Sequence, residues 1–106
     1  MRVLLDECVP HELRHAFPGH EVHTVAWAGF RSKKNGVLLS AAEEAGYEVL
    51  VTTDQSIRWQ QNLSGRVIAI IAIRARTNQM DDLLPFAPDV AEALSKIVPG
   101  QAIEIG

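Results

Sequence analysis

Two places in the sequence set carboxylates directly after apolar runs. Val3-Leu4-Leu5 leads into Asp6-Glu7, and Val49-Leu50-Val51 leads through Thr52-Thr53 into Asp54. Apolar runs of this kind read as strands buried on both faces, and carboxylates at their ends sit where open α/β sheets bind ligands. If the two strands are neighbours, their ends lie about 5 Å apart. Asp6 and Asp54 can then share a divalent cation, with Glu7 beside them. A hard ion such as Mg²⁺ (or Mn²⁺) takes oxygen ligands and keeps several waters. Two or three carboxylates with an open face suit cation-assisted hydrolysis of a phosphodiester. The same residues also read as plain helix caps, because a helix N-terminus favours negative charge.

The basic residues bear on that choice. Arg31, Lys33 and Lys34 lie in the loop after the second expected strand, Arg58 just after the third, and Arg74 and Arg76 after the fourth. These six of 10 Lys and Arg fall on the carboxyl edge of the expected sheet. A basic ring around acids that a cation screens can hold a polyanion by its phosphates. The alternative is ordinary solvated loop charge. Arg2 and Arg66 fall at the opposite edge. Trp27, Phe30 and Trp59 lie near the carboxyl edge too. Exposed, they would stack on unpaired bases; a Trp in a small domain is more often core, and at least two of the three are expected there. His11-Glu12-Leu13-Arg14-His15 matches H-E-x-x-H, which on an α-helix sets two histidines on one face for zinc. The extended zinc signature needs Gly at 18 and His at 21, where this chain has Pro18 and Glu21, so a zinc hydrolase is the remotest reading. His20 and His23 add no further site.

Positioning these groups requires alternating strands and helices. Strand one is Val3–Leu5. A helix from about Pro10, with Leu13, Ala16 and Phe17 as its apolar face, stops at Pro18-Gly19. Strand two spans His20–Val25, and a loop runs from Trp27 to Lys34. Asn35 caps a second helix to about Gly46, with Val37, Leu38, Ala41, Ala42 and Ala45 inward. Strand three is Glu48–Thr52, a short helix covers about Ser56–Asn62, and strand four is Arg66–Ile73. Thr77–Val98 is mostly helical, interrupted at Pro85 and Pro88. Ala102–Ile105 is a last short strand at an edge. The alternation predicts one α/β domain over residues 1–106 with a mostly parallel sheet, in the order 2-1-3-4 plus the short edge strand.

Bulk properties narrow the setting. With 106 residues the chain holds one core, and 47% apolar content excludes a disordered chain. A net charge of -3 excludes a bulk polycation, so any nucleic-acid contact must come from a local cluster. The single cysteine, Cys8, fits a reducing cytoplasm. The early carboxylate at position 6 argues against a signal peptide. The longest apolar run, Val67–Ile73, is too short to span a bilayer, so no membrane partner is expected.

The motifs Leu4-Leu5-Asp6-Glu7, Gly19-His20-Glu21-Val22 and Val49-Leu50-Val51-Thr52-Thr53-Asp54, in this order over about the first 60 residues, resemble the short PIN-like proteins of the DUF5615 group. The resemblance implies a three-layer α/β/α PIN-like fold with the first strand beside the one ending in Asp54. It also implies kinship with Mg²⁺-dependent ribonucleases, including toxins of toxin–antitoxin pairs. In those terms Asp6, Glu7 and Asp54 are the metal ligands, Asn35 orients the attacking water, and Arg31, Lys33, Lys34, Arg58, Arg74 and Arg76 hold single-stranded RNA. The implied partners include an antitoxin or other protein, or a second copy in a homodimer. The chain departs from the family pattern in two places: Asn35 stands where Asp is frequent, and Ser56-Ile57 where Asp-Phe is frequent. Each removes an anionic group. The rival expectation is therefore a non-catalytic module that binds RNA or protein.

Overall fold

Of the runs expected to be buried on both faces, Val3–Leu5 and Val49–Val51 are essentially inaccessible throughout, and Val67–Ile73 is so from Ile68 on, Val67 being exposed. In the computed structural model, which describes residues 1–56 and 63–106, they form the centre of one sheet. The elements in chain order are β1 (Arg2–Leu5), a 3₁₀ helix (His11–Ala16), β2 (Glu21–Thr24), α1 (Val25–Ala28), α2 (Asn35–Glu44), β3 (Val49–Thr52), β4 (Ala69–Ile73), α3 (Met80–Leu83), a 3₁₀ turn (Leu84–Phe86), α4 (Ala87–Lys96) and β5 (Ala102–Ile105). The helix expected beyond Ser56, with Arg58 and Trp59, lies outside the described residues.

The five strands pair in parallel in the order β2-β1-β3-β4-β5. Alternate residues of each strand face opposite sides, so one sequence feeds two cores. Val3, Leu5, Val49, Val51, Ile71 and Ile73 pack with Leu13 and Phe17 around the first 3₁₀ helix and with Leu83, Val90 and Leu94 of α3 and α4. Leu4, Leu50, Ile68 and Ile70 pack on the other side with Val25 of α1, Leu38, Leu39 and Ala42 of α2, and Tyr47. No helix among the described residues is long and apolar enough to cross a membrane.

Four local expectations are corrected. Strand two ends at Thr24, because the Thr24 hydroxyl accepts a hydrogen bond from the Trp27 amide (3.0 Å) and caps the single turn α1 where a loop was expected. Asn35 does not cap α2. It begins the helix at φ 52, a left-handed conformation that Asn tolerates, and Lys34 is the extended residue before it. Val37 and Ala45 are exposed and Leu39 is buried instead. Val37 lies about 200° around the helix from Leu39 and cannot share its face. Strand four starts at Ala69 and not Arg66; the Val67 amide is taken by the Glu43 carboxylate (2.7 Å), and Val67 stays outside the ladder.

Candidate functional site

The ends of β1 and β3 place the two aspartates. Leu5 pairs with Val51, and the ladder runs one step further as the Asp6 amide donates to the Val51 carbonyl (2.9 Å). The Asp6 side chain is then fixed at both oxygens. Oδ1 accepts from the Glu7 amide (2.8 Å), and Oδ2 accepts from the Thr52 hydroxyl (2.7 Å). The same Thr52 oxygen accepts from the Asp54 amide (3.0 Å). One wholly buried hydroxyl therefore ties the two acidic residues together. Sequence reasoning missed Thr52. Its signal is a polar residue ending an otherwise apolar central strand, where a buried hydroxyl must find partners. Asp54 closes its own turn, its Oδ1 accepting from the Ser56 amide (3.0 Å) and hydroxyl (2.6 Å). Cys8 sits beneath these groups, its Sγ 3.0 Å from the Thr53 hydroxyl and 3.5 Å from that of Thr52.

Asp6, Cys8 and Asp54 line a cleft of about 390 Å³. Asp6, Glu7 and Asp54 supply its acids. Arg31, Lys33, Lys34 and Asn35, from the loop that enters α2, supply its bases and an amide. Three chain segments remote in sequence thus meet, as the strand order requires.

The rest of the basic ring does not close over this cleft. Arg74 and Arg76 are exposed after β4 and do not line it. Two strand spacings, about 10 Å, separate β4 from β1. The Arg74 amide bonds to the Ile105 carbonyl, so the chain there stays beside β5 and away from the cleft. Arg58 lies outside the described residues. Arg66 precedes β4 at the opposite edge, as expected, but its side chain pairs with Glu43 of α2 and borders a shallow groove that Lys33 and Lys34 also line.

Asp6 and Asp54 suit a hard cation in donor type, since a carboxylate offers about four acceptor positions and neither has spent all of them among the described residues. Mg²⁺ needs only one or two carboxylates plus waters. Among the described residues no group of three or more His, Cys, Asp and Glu is placed to hold a metal ion. Glu7 is exposed in the turn after β1, and one Asp54 oxygen is committed to Ser56.

The H-E-x-x-H segment fails as a zinc site for a geometric reason. His11–Ala16 is a 3₁₀ helix. At three residues per turn, positions four apart stand about 120° apart and not on one face. His11 is occupied instead by Glu12 (2.7 Å) and Arg14 (2.8 Å). Of the three aromatics, of which at least two are expected in the core, Trp27 is 70% exposed, Phe30 packs against the α2 side of the sheet, and Trp59 lies outside the described residues.

In comparison with known proteins, no family model, no curated protein and no solved structure matches the chain.

Proposed function

We propose that the chain is a cytoplasmic PIN-like domain of the three-layer α/β/α kind, whose cleft binds single-stranded RNA and cleaves it with the help of Mg²⁺ or Mn²⁺. The observation that supports this is the meeting of Asp6, Glu7, Asp54 and Asn35 with Arg31, Lys33 and Lys34 in one cleft at the carboxyl ends of β1 and β3. Arg31, Lys33 and Lys34 hold the phosphates, which a cluster of fixed cations does without reading sequence. Asp6 and Asp54 would hold the cation, with Glu7 as a further ligand or an acceptor behind it; bound there, it would supply Lewis-acid stabilisation of charge developing on the phosphodiester. Thr52 keeps Asp6 in one orientation, and the Asn35 carboxamide orients the attacking water. The same reading includes a role as the toxin of a toxin–antitoxin pair, with an antitoxin as protein partner, or a homodimer as the assembly.

A second reading, a binding module without catalysis, is favoured by one specific observation. Asp54 spends an oxygen on Ser56, and among the described residues no three of His, Cys, Asp and Glu are placed to hold a metal ion together. Incubation of end-labelled single-stranded RNA with Mg²⁺ or Mn²⁺, together with calorimetric titration of Mn²⁺, separates the two. Wild type is expected to cleave and to take up Mn²⁺, and Asp6→Asn to do neither while still binding RNA. RNA binding without cleavage or Mn²⁺ uptake in wild type supports the binding module; absence of RNA binding removes the nuclease and leaves a protein as the module's ligand.

A further inference from the structure

A second cleft, also of about 390 Å³, opens beside β2 at the edge of the sheet. Its lining is mainly apolar and aromatic, and its chief feature is the Trp27 indole. An indole left in water forfeits a large burial gain, yet this one is held in place. The His23 ring lies against it, centroids 4.0 Å apart and planes 30° apart. His23 is anchored in turn. Its backbone pairs with Leu4 of β1, its Nδ1 is 2.8 Å from the Tyr47 hydroxyl, and its Nε2 is 3.6 Å from Glu21. Burial, with Glu21 adding to it and Arg2 opposing, pushes the Tyr47 phenol above its ordinary value, so it stays a donor. The phenol and Nδ1 share one hydrogen bond, and Nε2 faces Glu21.

The cleft also carries positive charge. Arg14 lines it, its guanidinium steadied 2.8 Å from the His11 carbonyl. The single turn α1 separates this cleft from the acidic one: Val25 lines the first, Ala26 and Trp27 the second. A volume of this size suits a flat small-molecule group and is too small for a helix.

We propose that Trp27, backed by His23, is a stacking platform for one unpaired nucleobase, with Arg14 taking the phosphate beside it. This rests on the reading that the neighbouring cleft holds single-stranded nucleic acid. A chain whose phosphates lie on Arg31, Lys33 and Lys34 would pass over α1 and lay a base on the indole. Stacking of this kind tolerates any base, because each has a π face.

The test uses Trp59→Phe protein, in which Trp27 is the remaining tryptophan. Uridine monophosphate should quench its fluorescence saturably, and ribose 5-phosphate, which lacks the base, should not. In anisotropy titrations Trp27→Ala should weaken binding of a 12-mer oligouridylate by about 5- to 150-fold. It should leave an abasic 12-mer and the salt dependence unchanged, and Trp27→Phe should restore most of the loss. Equal weakening of both oligomers, or no quenching by the nucleotide, overturns the proposal. So does a Trp27→Ala protein whose one change is lost self-association in sedimentation, which would make the cleft a protein interface. Oligouridylate that binds with a steep salt dependence but ignores Trp27→Ala removes the platform and leaves the first cleft's reading intact. Nucleotide quenching without any oligomer binding does the reverse.

Discussion

Among the described residues, Thr52 is the polar side chain buried completely, and it holds Asp6 and Asp54 in a fixed relation. Replacing it with Val keeps the volume and removes the hydroxyl. The Asp6 carboxylate and the Asp54 amide each lose a partner, so Thr52→Val should lower the unfolding free energy by about 1–3 kcal/mol in urea titrations. Thr52→Ser should keep the hydrogen bonds and recover most of that loss. An unchanged midpoint in Thr52→Val would mean that water replaces the hydroxyl and that the tie between the aspartates is unimportant. The two aspartates themselves are legible in the sequence, because a continuous apolar run followed by a carboxylate says both that the strand is central and where its end lies. Thr52 is not, since a β-branched residue closing a strand is commonplace and its partners come from another segment. At Ser56 the hydroxyl occupies an oxygen of Asp54 that a cation would otherwise use. Ser56→Asp combined with Asn35→Asp should bring two further carboxylates to the turn and the cleft. The double variant should be less stable than wild type in metal-free buffer through like-charge repulsion, and should take up Mn²⁺ more tightly in calorimetry. Equal Mn²⁺ affinity in the two proteins would count against Asp54 and its neighbours as the cation site.

Between elements, the clearest long-range tie is Glu43 of α2. Its carboxylate accepts from the Val67 and Ile68 amides (2.7 and 3.3 Å) and pairs with Arg66, so the helix fixes the entry to β4. Burial alone would raise this carboxyl; the Val67 amide, the Arg66 guanidinium and the Ile68 amide together outweigh it and hold it below the ordinary value of 4.5. A carboxyl depressed in the folded state adds stability that is fully present above its unfolded value and is lost as pH falls through the folded one. Wild type should therefore exceed Glu43→Gln in urea midpoint at pH 7, and the gap should close progressively below about pH 4.5. A gap that persists unchanged into acid would assign the effect to packing and not to charge. Elements of this size also show where sequence patterns run out. The strand order follows from buried runs, and β5 appears with the expected bounds, Ala102–Ile105. The one-turn α1 is too short for any periodicity to register, and it exists because Thr24 caps it. His11–Ala16 has helical spacing, yet its six residues between Pro10 and Pro18 wind as 3₁₀, and that difference alone dissolves the apparent zinc motif.

At the scale of the molecule, a net charge of -3 coexists with a local basic wall. Attraction of a polyanion must then come from where the charges sit and not from their sum. The expected ring of six narrows to Arg31, Lys33 and Lys34 at the cleft, with Arg74 and Arg76 about two strands away and Arg58 outside the described residues. Sequence could place all six at one end of a parallel sheet but not say in which direction each loop leaves it. Salt dependence distinguishes the wall from the ring. Each phosphate neutralised on a single strand contributes about 0.7 to the log–log slope of affinity against salt. Replacing Lys33 and Lys34 by Ala should flatten that slope by about one to two units for every RNA sequence alike, and cleavage should fall in step with binding. Arg74→Ala with Arg76→Ala should change the slope by less than about one unit if RNA keeps to the cleft, and by as much as the lysine pair if it runs along the whole carboxyl edge. Arg2 and Arg66 make poor controls, because Arg2 pairs with Glu21 and covers Tyr47 while Arg66 pairs with Glu43, so their loss disturbs the fold. Lys96, exposed on α4 and paired with Glu92 one turn away, is the cleaner one. Lys96→Ala should leave both slope and affinity as in wild type, and a loss there equal to that of the lysine pair would show that binding follows overall charge, with no defined face.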